Sequence, residues 1–64
     1  MQELYDKLNK IFDNTGYSME SLKRIEQEFL NYGYSEEEIK NIERDSGTIT
    51  EKIERLRFSL AYFL

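Results

Sequence analysis

Sixty-four residues carry 13 acidic and 9 basic side chains, a net charge of −4, with no cysteine, no histidine and no proline. A chain this short makes at most one domain, has no disulfide framework, and lacks the imidazole and thiol groups from which the usual triads and zinc sites are built. The charge divides evenly, 6 acidic against 4 basic in residues 1–32 and 7 against 5 in residues 33–64, so neither half reads as a phosphate-seeking tail.

The first predicted helix runs from about Glu3 to Asp13. Leu4, Tyr5, Leu8, Ile11 and Phe12 fall on one face of a 3.6-residue period. Asp6 and Lys10 are spaced for an i, i+4 ion pair. Asn14-Thr15-Gly16 ends the helix. The amino-terminal stretch is polar, with no apolar run of the kind a leader peptide has, and nothing approaches the ~20 apolar residues of a membrane span. The expected location is the cytoplasm, and no membrane partner is expected.

Ser18 is placed to cap a second helix ending near Tyr32. Met19, Leu22, Ile25 and Phe29 form its stripe, Leu30 widens it, and Lys23, Arg24, Glu26, Gln27 and Glu28 are assigned to water. Gly33 closes this helix, since glycine takes positive φ without steric cost. Ser35 then opens a third, from about Glu36 to Asp45. Glu38 completes a capping-box spacing, Tyr34 and Ile39 occupy staple positions, and Glu36, Glu37 and Glu38 suit the positive end of the helix dipole. The third helix offers only Ile39 and Ile42 to a core.

The two corners repeat. Gly16, Tyr17, Ser18, Glu20, Lys23, Ile25 and Glu26 recur seventeen residues on as Gly33, Tyr34, Ser35, Glu37, Lys40, Ile42 and Glu43. The run Phe29–Ile42 resembles the leucine–x–x–glycine–phenylalanine–serine corner of mitochondrial-terminator-type helical repeats, which implies nucleic-acid binding. It also resembles the glycine–phenylalanine corner of ubiquitin-associated three-helix domains, which implies a protein ligand. The proline common in the first family is absent, as is its basic surface, and Tyr32 stands at the methionine of the second. The chain is assigned to neither.

Asp45-Ser46-Gly47 makes the third turn, and Thr48 with Glu51 has capping-box spacing. A fourth helix is expected from Ile49 to the end. Ile49, Ile53, Leu56, Leu60 and Phe63 step by 4, 3, 4 and 3, a seam suited to packing on a partner helix. The predicted fold is therefore all-α: a compact bundle of three to four helices in one domain, 1–64, with short turns at 14–17, 33–34 and 46–48.

No catalytic, metal or cofactor site emerges, so neither an enzyme nor a small-molecule ligand is expected. Ser18 and Ser35 read as caps, with no imidazole to activate them. Glu36–Glu38 fan around a helix start instead of converging. A calcium loop counted from Asp13 puts Ser18 where glycine is needed and Arg24 where glutamate is needed, and one counted from Asp45 ends on Leu56.

Two surfaces remain. Phe58, Tyr62, Phe63 and Leu64 crowd the last two turns and cannot all face one side of a helix. They predict a protein interface for self-association or for docking on a larger partner, in a regulatory or inhibitory role. The opposing interpretation makes the fourth helix the centre of the bundle and these rings its core. The alternative is a nucleic-acid module using Arg44, Lys52, Arg55 and Arg57. Asp45, Glu51 and Glu54 lie among those cations, and the overall acidity opposes phosphate binding. Imitation of a nucleic-acid backbone by Glu20, Glu26, Glu36–Glu38 and Glu43 is a further possibility that an acidic chain permits.

Overall fold

The computed structural model describes residues 1–61. Four helices follow one another: α1 Gln2–Thr15, α2 Met19–Tyr32, α3 Glu36–Glu43 and α4 Ile49–Ala61. Helix α4 touches each of the other three, whereas α1 and α3 make no contact with each other among the described residues. The bundle is built around α4. A Cα radius of gyration of 10.5 Å matches the ~11 Å of a closed domain of this length.

Local chemistry decides the helix ends. Ser18 Oγ accepts from the Ser21 N–H at 3.1 Å. Ser35 and Glu38 form the full reciprocal box, with Glu38 N–H on Ser35 Oγ at 3.1 Å and Ser35 N–H on the Glu38 carboxylate at 2.9 Å. At the third corner Thr48 Oγ1 accepts from Glu51 N–H at 3.1 Å, but the Glu51 carboxylate takes the Thr48 hydroxyl and not its N–H. Gly33, at φ 121°, lets Tyr34 N–H reach Phe29 O and its own N–H reach Leu30 O, the paired closure that satisfies orphan carbonyls. Gly16 closes α1 with one bond to Phe12 O at 2.7 Å.

The third turn departs from expectation. Helix α3 stops at Glu43, two residues short of Asp45, and the residue with left-handed backbone is Asp45 (φ 68°), not Gly47. Aspartate tolerates that region better than most side chains, because its short carboxylate bonds locally.

Leu4 and Leu8 of α1, Leu22, Ile25 and Phe29 of α2, Ile39 of α3, and Ile53, Leu56 and Leu60 of α4 form the core. Met19, assigned to the stripe from its spacing, is 50% exposed. It lies about 120° around the helix from Ile25, outside a stripe ~100° wide. Ser21 takes the buried place instead, and its Oγ has no hydrogen-bond partner. Glu26 and Glu28, expected in water, are half-buried. Glu28 pairs with Lys7 of α1 at 3.6 Å. Asp6 accepts from Gln2 Nε2 at 2.9 Å, and among the described residues it forms no ion pair with Lys10.

Candidate interaction surface

Helix α4 has two unlike sides. Ile53, Leu56 and Leu60 are fully buried, and Ile49 packs against them. Phe58 lies about 160° from the middle of that seam and is 59% exposed, the most exposed of the large hydrophobic side chains among the described residues. The bundle surrounds one face of α4 and leaves the other open. Helix α4 is central to the bundle, and its Phe58 ring lies outside the core. Tyr62, Phe63 and Leu64 lie outside the described residues.

One turn before Phe58 stands Glu54, whose carboxylate accepts a hydrogen bond from the Tyr17 hydroxyl. That hydrogen bond, followed by desolvation, raises the Tyr17 hydroxyl above its usual range. Tyr17 is itself 46% exposed, so the corner between α1 and α2 brings a second aromatic ring to the Phe58 side of α4. The Tyr17 ring meets Phe12 edge to face, 4.6 Å between centroids. The guanidinium of Arg57 sits 4.2 Å from the centre of the Phe12 ring, and its Nη2 donates to Asn9 Oδ1 at 3.0 Å. Phe12, Tyr17, Glu54 and Arg57 are therefore one connected cluster, tying α1 and its corner to α4.

This arrangement bears on the four basic residues proposed for nucleic acid. Arg57 is half-buried and turned toward α1. Lys52 is half-buried and close enough to Glu43 of α3 to stabilise its charge. Arg44, at the end of α3, and Arg55 are exposed. Arg57 stands about 140° around α4 from Lys52 and about 160° from Arg55, so the helix brings together Lys52 and Arg55 but not all three.

A second cluster lies where α2, α3 and α4 meet. Glu43, the last residue of α3, contacts Glu26 of α2. Burial first, and then that neighbour, raises the Glu43 carboxyl to about 7, against a smaller opposing effect of Lys52. Glu26 also lines a cavity of about 320 Å³ with Leu30, Glu36, Ile39 and Lys40. The described residues include no group of three or more acidic side chains that could hold a metal ion. None of their helices is long and apolar enough to cross a membrane.

Sequence reasoning missed three features: the turn of Tyr17 toward Glu54, the use of Arg57 against Phe12, and the meeting of Glu26 with Glu43. A signal for the Phe12–Tyr17 contact, in contrast, was present. The seventeen-residue repeat extends upstream through Phe12/Phe29 and Asn14/Asn31, which places an aromatic partner five residues before each corner tyrosine. The three missed features join distant positions and leave no periodic trace. No family model, curated protein or solved structure matches this chain.

Proposed function

We propose that this chain is a small acidic protein-interaction module. It self-associates, or docks on a larger protein, through the outer face of α4, and so regulates or inhibits that protein. The supporting observation is the exposure of Phe58, at 59%, on a helix whose seam of Ile53, Leu56 and Leu60 is fully buried. Burying the exposed part of this ring in a partner removes on the order of 100 Å² of surface from water, and aromatic side chains are favoured anchors of such contacts. Tyr17 extends the same side, and Glu54 between the two rings supplies a polar contact of fixed orientation.

The experiment is sedimentation equilibrium over a wide concentration range for the native chain and Phe58→Ser, followed by affinity capture with both as bait. Concentration-dependent association lost in Phe58→Ser supports self-docking. A monomer that captures one protein, again dependent on Phe58, supports the larger partner. A native chain and variant that behave identically in both assays overturn the proposal. The nucleic-acid alternative draws less support, because Arg57 packs on Phe12 and Lys52 lies against Glu43. Electrophoretic shift with a steep salt slope, lost in Lys52→Glu/Arg55→Glu, would restore it.

A further inference from the structure

Helix α3 is the shortest element of the bundle. It has eight residues, one buried side chain, Ile39, and a second, Ile42, that is only partly covered. Isolated helices of this length do not persist in water, so its place depends on its packing against α4 and α2 and on what grips its ends. The amino-terminal end has the Ser35–Glu38 box and the Tyr34 ring on Phe29. The carboxyl-terminal end has no side-chain cap, and Arg44 N–H reaches Asn41 O at a long 3.3 Å.

At that weak end two buried oxygens lack any donor: Glu43 Oε2 and, three residues on, Ser46 Oγ. Glu43 is in side-chain contact with Glu26. Two carboxylates in contact repel, whereas a carboxyl and a carboxylate share a proton in a hydrogen bond. A buried carboxylate oxygen with no donor costs free energy that protonation removes. Glu43 also ends its helix, where the negative pole of the dipole further disfavours ionisation.

We propose that Glu26 and Glu43 form a proton-dependent latch, which fastens the end of α3 to α2 while Glu43 holds its proton and loosens when that proton departs. The groups facing Glu43 are few. Glu26 comes from α2 and Lys52 from α4, and Lys40 stands one turn earlier on α3 itself. Lys52 favours the ionised form but does not cancel the effects of burial and of Glu26. The direction follows from linkage. A carboxyl raised in the folded state binds its proton more tightly there than when released. The latch is therefore complete below the ordinary carboxylate range, and its contribution is lost as pH rises toward about 7. Mild acidification tightens α3, and neutrality frees its end and the turn that follows.

The test is nuclear magnetic resonance on the native chain, Glu43→Gln and Glu26→Gln. The Glu43 carboxyl carbon is titrated, and exchange of the Arg44 and Ser46 amides, corrected for intrinsic rate, is followed over the same pH range. The expected Glu43 midpoint lies well above the ordinary carboxylate range and falls in Glu26→Gln. Amide protection in the native chain decreases by up to about tenfold per pH unit through the window, and Glu43→Gln flattens that slope. A Glu43 midpoint in the ordinary range, or equal slopes in the native chain and Glu43→Gln, overturns the latch. Should Glu43→Gln fail to fold, the native titration and Glu26→Gln still decide. The latch stands apart from the docking proposal, since none of its readouts involves Phe58.

Discussion

The ring of Tyr34 meets that of Phe29 edge to face, 4.8 Å between centroids, and the same two residues share a backbone hydrogen bond, Tyr34 N–H to Phe29 O at 3.0 Å. Side chain and main chain thus close one corner together, as the hydrophobic contact accompanying a glycine-terminated helix does. Phe29 is fully buried and Tyr34 partly so. Burial, with smaller effects from Glu38 and Tyr32, raises the Tyr34 hydroxyl above its usual range. Tyr34→Ala should destabilise by about 2–3 kcal/mol in urea unfolding. Tyr17→Ala, at the equivalent but exposed corner, should cost clearly less.

The glycines of the turns should separate sharply. Gly33 has φ 121°, where a β-carbon is strained although no atom lies within 4 Å of it. Gly33→Ala should cost about 1–2 kcal/mol. A β-carbon on Gly47 would meet only Glu51 Oε1, at an ordinary 3.7 Å. Gly47→Ala should therefore be neutral or slightly stabilising, and equal losses in thermal melts would contradict this account of the two turns.

Ser21 is fully buried within α2, and its hydroxyl has no partner. Ser21→Ala removes an unpaired polar group and improves helix propensity, so stability should rise by about 0.5–1 kcal/mol. A loss of similar size would mean that the hydroxyl has a bonded partner in solution.

Arg57 stacks on Phe12 and donates to Asn9. Replacing it with lysine keeps the charge but loses the planar fork, so Arg57→Lys and Arg57→Met should destabilise alike, by about 1 kcal/mol. The loss should persist in high salt, because much of it is packing. Rescue by lysine would return Arg57 to the ranks of simple surface cations.

Phe58 and Leu56 stand two residues apart on α4 with opposite environments, 59% and 0% exposed. Leu56→Ala should cost about 2–5 kcal/mol. Phe58→Ser should change stability by less than about 1 kcal/mol while changing association. Circular dichroism melts run beside sedimentation separate the two effects. Collapse of the fold in Phe58→Ser would make this ring part of the core.

Helix starts were legible in the chain because capping is local: Ser18, Ser35 and Thr48 act on backbone groups within a few residues, as Gly33 does at the end of α2, whereas the end of α3 was not legible. The buried faces of α1 and α4 followed from periodicity for the same reason. Tertiary contact alone decided that Tyr17 bonds Glu54 across 37 positions, that Arg57 reaches Asn9 across 48, and that Glu26 meets Glu43. A spacing pattern specifies the angle of a side chain around its own helix. Which neighbour that angle meets depends on how four helices settle together, and so do the burial that raises Glu43 and the opening that leaves Phe58 in water.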